Sequence, residues 1–367
     1  MMAKKASDFT LMITTIVLVF IGIIMVFSSS YPDAYYKLNN PYHFLVKQLI
    51  FAILGLFVMI FFMNFKYTRL AKLSKIIFLG AIVLDALLFT PLGKEIGGAT
   101  RWVVIFGNTI MPSDAIKFAS IILMATFLAK KKDDIRKFWK GLVPALLIIG
   151  FSAALIIIQP DLSTSATLAT TLVAMLFVSG AKMSHLSGIG AIGVVGLFFA
   201  IKGEAYRLRR MTVFLHPFDD PTDAGWQVIQ SLYALGSGGL FGAGLGKSKQ
   251  KFFYLSEPYN DFIFSIIGEE LGFIGSVIVI ILFLIIIWRG IKIALSAKDL
   301  FGCYLASGIT ALIAIQTLIH IGVVTSSLPP TGIPLPFVSA GGTSLMMFMA
   351  CIGILLNISR HVSLDRS

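Results

Sequence analysis

Carboxylates set into a run of membrane-spanning hydrophobicity constrain this chain more than any other feature. From Glu257 to Gly272 the sequence reads EPYNDFIFSIIGEELG, which puts Asp261, Glu269 and Glu270 at the edge of and inside an apolar stretch. Charge in such a place is costly, and by default it marks function. Read as one helix, positions three and four apart bring Asp261, Ser265, Gly268, Glu269 and Gly272 onto one small, polar stripe. Phe262, Ile263, Phe264, Ile266 and Ile267 form the other side, which suits lipid or a packed neighbour.

A chain with 57% hydrophobic and 13% charged residues and a mean hydropathy of +0.90 lacks the polar surface a soluble globule needs. It reads as an all-α polytopic membrane protein, one integral domain over residues 1–367 with ten runs of spanning length. These are Thr10 to Phe27, Gln48 to Met63, Ile76 to Leu92, Ser113 to Ala129, Leu142 to Ile158, Leu162 to Gly180, Ser184 to Ile201, Phe262 to Trp288, Phe301 to Val324 and Ser339 to Asn357. No repeat of 20 to 50 residues is visible, which argues against an inverted-repeat transporter.

An N-terminus in the cytoplasm collects most lysines and arginines on that side, with KKKDDIRKFWK after the fourth span as the strongest vote. Both termini are therefore expected inside. The net charge of +12 is mainly a topology signal, with attraction to anionic membrane lipids as a by-product. No soluble basic domain exists to carry nucleic-acid binding, so no such partner is expected. The first run is too long for the apolar core of a cleaved signal peptide. Cys303 and Cys351 both fall in expected spans and read as packing residues, and the five histidines show no metal spacing.

The long connection over residues 202–260 follows the seventh span and is expected outside. Its aromatic content, from Trp226 to Tyr254, argues for order. Tyr206, Arg207, Arg209 and Arg210 precede His216 and the acidic turn of Asp219, Asp220 and Asp223. The segment GWQVIQSLYALGSGGLFGAGLG then aligns Gln227, Gln230, Ser231 and Ala234 on one helical face and ends in a glycine-rich turn. It reads as a re-entrant or interfacial helix. With Lys247, Lys249 and Lys251 following, the turn is either an anion cradle of backbone N–H groups and lysines or a closely packed loop.

Three further polar clusters stand at outer span ends. In GATRWVVIFGNTIMPSDAIKF, Pro112 is placed to start the fourth span. A lone lysine near a span end commonly snorkels to the interface, but Arg101 close by makes Lys117 read as part of a polyanion site. Gln159-Pro160-Asp161 forms a tight turn in which Asp161 also suits a helix N-cap. SSLPPTGIPLPFVSAGGTS, which includes Ser339, Gly341 and Gly342, is a proline-stiffened rim or a ligand contact. Asp85 falls near the middle of the third expected span without a companion and reads as a protonated or hydrogen-bonded carboxyl facing the bundle.

The outer half of the bundle thus gathers a candidate base, Asp261, with the cations Arg101, Lys117, Arg210 and Lys249. Transfer chemistry on a lipid-linked diphosphate needs such a set. The carboxylate takes a proton from an attacking hydroxyl, and the cations neutralise charge on the leaving diphosphate. The candidate substrate-binding set is Arg101, Lys117, Arg207, Arg210, Gln227, Ser231, Lys249 and Glu257. Gln159, Asp161, Ser265, Glu269, Glu270, Ser339, Gly341 and Gly342 are read as structural or cavity-lining.

Six ordered blocks carry a resemblance: GATRW with PSDAIK, QPDLST, YRLRR, GWQVIQSLYALGSGGLFGAGLG, YLSEPYNDFIFSIIGEELG and TGIPLPFVSAGGTS. Over essentially all ten spans the chain resembles the SEDS family of bacterial cell-wall proteins, the group of FtsW, RodA and stage V sporulation protein E. That likeness implies a peptidoglycan glycosyltransferase that polymerises lipid II at the outer face of the bacterial cytoplasmic membrane. Asp261 matches the family's essential aspartate, which would deprotonate the GlcNAc 4-hydroxyl for attack on the MurNAc anomeric carbon, displacing undecaprenyl diphosphate with inversion. The implied partner is a class B penicillin-binding protein, a transpeptidase. A divalent cation, Mg or Mn, could assist the diphosphate, although no metal motif is visible.

The chain departs from the family pattern at Asp114, where Glu is usual, at Ser163, where Gly is usual, and at Ala340, where Tyr is usual. None of these touches Asp261. Two other readings compete: a lipid II flippase using a central cavity lined by Glu269 and Glu270, and a noncatalytic scaffold for the transpeptidase.

Overall fold

Each of the ten expected apolar runs falls on a helix in the computed structural model. The structure describes residues 7–96, 99–105, 107–215, 217–219 and 224–361, with the backbone alone for 96, 105, 205–207, 212 and 224. The helices are α1 (Phe9–Leu38), α2 (His43–Asn64), α3 (Thr68–Ala86), α4 (Pro112–Lys130), α5 (Val143–Ile157), α6 (Leu162–Val178), α7 (Met183–Lys202), α8 (Ala205–Leu215), α9 (Ala224–Ser237), α10 (Ile263–Ser296), α11 (Leu300–Val324) and α12 (Gly342–Ser359). Among the described residues, eight of these are long and apolar enough to cross a membrane, α5 together with the π-helical turn Phe138–Leu142 before it. α6 is apolar but shorter, and α3 carries Arg69, Lys72 and Lys75 in its first half. The protein is a multi-pass membrane protein.

Local chemistry sets the helix ends. Asp8 caps α1 by accepting from the Leu11 N–H at 3.0 Å, and Asp299 caps α11 by accepting from Gly302 at 2.8 Å. Pro112 opens α4, where a missing N–H costs nothing. Several buried polar side chains are matched in pairs, which suits a lipid-immersed bundle. Ser120 donates to Ser152 at 2.9 Å between α4 and α5, and Gln316 donates to the Pro334 carbonyl at 2.9 Å. Cys303 and Cys351 are free thiols.

The all-α expectation needs one amendment. GATRWVVIFGNTI forms most of a three-stranded antiparallel sheet of β1 (Gly93–Ile96), β2 (Ala99–Ile105) and β3 (Asn108–Ile110), with Lys94 opposite Trp102 and Val103 opposite Ile110. Thr100, Val103, Val104 and Ile105 are β-branched, which favours a pleated surface over a helix.

The described residues of the long connection include α8 and α9. The third expected span ends early, because α3 stops at Ala86. Asp85 therefore stands at a helix end and has a companion, since its carboxylate accepts a hydrogen bond from the Gln159 amide.

Candidate functional site

Asp261 lies in the turn that feeds α10. The helix begins at Ile263, so Asp261 does not share the stripe expected of it, and Gly272 ends that stripe with φ 70° and ψ −167°. This backbone region is essentially reserved for glycine. Ser265 remains on the helix, buried and 2.7 Å from the Ser231 hydroxyl. Ser231, expected to face substrate, instead also donates to the Val324 carbonyl at 2.8 Å and so joins α9, α10 and α11.

The turn is clamped by the segment before α12. Ser339 Oγ donates to the Asn260 carbonyl at 2.7 Å while accepting from the Leu335 N–H at 2.8 Å, and the Ala340 N–H donates to the Tyr259 carbonyl at 2.9 Å. Gly332, at φ 70°, lies against the carboxylate, and a Cβ added there would stand 3.2 Å from Asp261 Oδ2. Gly342 opens α12 so close to Phe51 that a Cβ would overlap its ring. We expect Gly332→Ala to lower activity at least about tenfold, because the left-handed backbone is strained for alanine and the methyl presses on the Asp261 carboxylate. Wild-type turnover by that variant, with unchanged thermal stability, would refute the close approach.

Two arginines reach the same site. Arg101, on β2, donates from Nε to the Gln159 carbonyl at 3.2 Å and from its guanidinium to the Pro160 carbonyl. Arg210, on α8, donates to the Pro330 carbonyl at 3.2 Å. Asp161 caps α6 through the Thr164 N–H at 3.0 Å. Burial pushes the Asp261 carboxyl up to about 7, Glu257 and Asp161 push the same way, and Arg210 and Arg101 pull it back. Tyr259 is raised by burial and by the neighbouring Glu257, Asp33 and Asp261 charges.

Other expected contacts lie elsewhere. Lys117 neither snorkels nor joins this rim, since it is buried between α4 and α11, paired with Asp114 at 2.8 Å and 3.4 Å from Gln316 Oε1. The glycine-rich turn does cradle anions, but they are the chain's own. Glu269 accepts from the Lys249 N–H at 2.8 Å, the Gln250 N–H at 3.3 Å and the Ser248 hydroxyl at 2.5 Å. Glu270 accepts from the Ser248 N–H at 3.2 Å and pairs with Lys251 at 2.8 Å. The Lys249 side chain is exposed, beside a separate cleft shared with Lys247 and Glu269. The side chains of Tyr206 and Arg207, and His216, Asp220 and Asp223, lie outside the described residues.

Sequence reasoning missed a cleft of about 500 Å3 that adjoins the turn and is lined in part by Asp33, Lys37, Trp226, Gln227, Tyr254 and Glu257. Its signals were the aromatic content of the loop and the candidate substrate-binding residues Gln227 and Glu257, which both line it. Among the described residues no three His, Cys, Asp or Glu side chains converge as a metal site.

Bundle and rim together define a multi-pass membrane protein with a titratable carboxyl within electrostatic reach of two arginines. Residues 9–364 match the FtsW, RodA and SpoVE family, described as cell cycle protein. The chain is 46% identical to stage V sporulation protein E of Bacillus subtilis, over 98% of this chain and 99% of that one. It is 40% identical to a probable peptidoglycan glycosyltransferase FtsW of a Geobacter species, over 98% of each. The fold matches a chain of a solved peptidoglycan synthase complex with a TM-score of 0.80 at 24% identity, covering 99% of each. It also matches the rod shape determining protein RodA of Thermus thermophilus with a TM-score of 0.71 at 25% identity, over 97% of this chain and 98% of that one. The chain belongs to the FtsW, RodA and SpoVE family.

Proposed function

We propose that this protein is a peptidoglycan glycosyltransferase that polymerises lipid II at the outer face of the bacterial cytoplasmic membrane, with Asp261 as general base. All ten apolar helices, α1 to α7 and α10 to α12, cross the membrane, both termini are cytoplasmic, and residues 1–367 act as one domain with 202–260 outside. The observation that carries the reading is one carboxyl, raised to about 7, within electrostatic reach of Arg101 and Arg210. A base poised near the working pH combines a large ionised fraction with useful proton affinity.

In this reaction Asp261 takes the proton of the GlcNAc 4-hydroxyl as its oxygen attacks the MurNAc anomeric carbon. The bond from that carbon to the diphosphate oxygen breaks, and its electron pair leaves with undecaprenyl diphosphate. Inversion follows from a single displacement. Arg101 and Arg210 are the groups placed to stabilise the departing charge. A divalent cation, Mg or Mn, would ride on the diphosphate of the substrate and add to that stabilisation. The likeness to a chain of a peptidoglycan synthase complex that coordinates polymerization and crosslinking favours a class B penicillin-binding protein as partner.

A lipid II flippase would carry polar cargo past Glu269 and Glu270, yet both carboxylates are bound by loop N–H groups and Lys251. A scaffold would have no use for an elevated carboxyl beside two arginines. The deciding test is polymerisation of labelled lipid II by the purified protein with its transpeptidase, with a flipping assay in parallel.

The same carboxyl sets the pH profile. Only its ionised form accepts a proton, so the polymerisation rate should rise through about pH 7 and level off above it. A rate that stays flat from about pH 5.5 to 8 would exclude Asp261 as the base.

A further inference from the structure

The cleft beside the Asp261 turn has the composition of a sugar site. Trp226 and Tyr254 stack there with centroids 6.3 Å apart and planes 17° apart, yet they are 38% and 48% exposed. An aromatic residue that merely anchors a protein at the membrane interface keeps its polar atom for headgroup water. Trp226 does not, because its Nε1–H donates to the Tyr254 carbonyl at 2.6 Å, which fixes the indole plane. Gln227 is fixed likewise, donating its amide N–H to Ser256 Oγ at 2.5 Å with its carbonyl oxygen as the remaining acceptor.

The charge of the cleft selects among ligands. Two carboxylates, Asp33 and Glu257, line it, and Lys37 is already paired with Asp33 at 2.8 Å. A diphosphate would be repelled, whereas hydroxyl groups would find acceptors. Arg101 and Arg210, which suit a diphosphate, bind carbonyls of Gln159, Pro160 and Pro330 and do not line the cleft. A pyranose ring presents an apolar C–H face to an aromatic surface and hydroxyls along its edge, which matches two stacked rings bordered by carboxylates and an amide. The volume of about 500 Å3 falls within the range of roughly 300–1,000 Å3 usual for ligand pockets.

Continuity with the reactive carboxyl is direct. Glu257 contributes its side chain to the cleft and its carbonyl to the Asp261 N–H at 3.3 Å, and Tyr259 lines the cleft two residues from Asp261. We infer that this cleft is a saccharide subsite, in which Trp226 and Tyr254 stack an uncharged amino-sugar ring of the glycan and hold it in register with Asp261. The inference rests on the glycosyltransferase reading for its ligand class.

The test uses full-length protein in detergent, titrated with a lipid-free tetramer of β-1,4-linked N-acetylglucosamine and followed by saturation-transfer NMR. Wild type and Asp261→Asn should bind it equally. Trp226→Ala and Tyr254→Ala should each weaken it at least about tenfold, while Trp226→Phe, which keeps a ring, stays within about threefold. Thermal unfolding identifies any variant that fails to fold, and a second variant at the other ring keeps the test decisive. With lipid II as substrate, Tyr254→Ala should raise KM more than it lowers kcat. Absence of binding by wild type, or binding indifferent to loss of both rings, overturns the subsite, and active polymerisation would then leave the glycosyltransferase reading standing. Ring-dependent binding by a protein that polymerises nothing supports the subsite and removes that reading.

Discussion

Asp261→Asn should reduce lipid II polymerisation by about a hundred- to ten-thousand-fold, the usual contribution of a positioned general base. The amide has nearly the same shape but does not accept a proton at neutral pH, so loss of rate isolates the proton transfer. Folding should survive. The Asp261 carboxyl is raised from the ordinary carboxylate range to about 7, so the folded state holds its proton more tightly than the unfolded chain does. Stability from this group is present at low pH and falls as pH rises through about 7, where the partly buried site must carry the charge. A neutral amide removes that cost, and the variant should unfold at an equal or higher temperature at pH 8. Undiminished glycan synthesis by Asp261→Asn, with the transpeptidase bound, would end the general-base assignment.

How far the sequence reaches is clearest from Asp261 and its neighbours. An acidic residue at the edge of an apolar run is visible from composition and period alone, and so are the helices that carry it. What surrounds it is assembled from three distant segments. Gly332 and Ser339 come from the loop before α12, Arg101 from a sheet, and Arg210 from α8, and sequence spacing says nothing of their convergence. Lys117 shows the opposite error. Its distance from the start of α4 suggested the outer rim, but Asp114 lies one turn earlier on the same face, and a buried partner at 2.8 Å holds it inward. Ser231 shared a helical face with Gln227 as read, yet periodicity does not distinguish a face turned to substrate from one turned to α10 and α11. The sheet was missed because its strands are short and flanked by longer apolar runs.

Glu269 and Glu270, read as structural or cavity-lining, are bound within the fold, and the break at Gly272 explains why. Ending a helical segment there leaves carbonyls of the first part and N–H groups of the second without helical partners. The glycine-rich turn supplies them: Ala243 and Gly244 N–H donate to the Glu269 and Glu270 carbonyls at 2.9 and 3.0 Å, while Phe273 and Ile274 N–H donate to the Gly239 and Leu240 carbonyls at 2.9 and 3.2 Å. Ser248 to Lys251, directly after the turn, then bind both carboxylates. The polar residues that looked like a transport path are the fastening between α10 and the loop that crosses its break.

That fastening makes Lys251→Met the stability variant with the largest expected effect. Lys251 and Glu270 are 3% and 1% exposed, 2.8 Å apart, and Ser28 of α1 bonds both, at 3.1 Å to the lysine and 2.7 Å to the carboxylate. Removing the ammonium leaves a buried carboxylate uncompensated, which costs about 3–5 kcal/mol in comparable pairs. Thermal unfolding in detergent should show a fall of several degrees. Adding Glu270→Gln to Lys251→Met should recover most of it, because the amide oxygen still accepts from Ser28 and Ser248 while the unpaired charge is gone. Since the segment from Ile263 to Leu271 carries the Asp261 turn at its start, the single variant should also lose activity without moving the pH at which the remaining rate levels off. If Lys251→Met unfolds like wild type, or the double variant is no better than the single, the pair is not what holds the loop across the break.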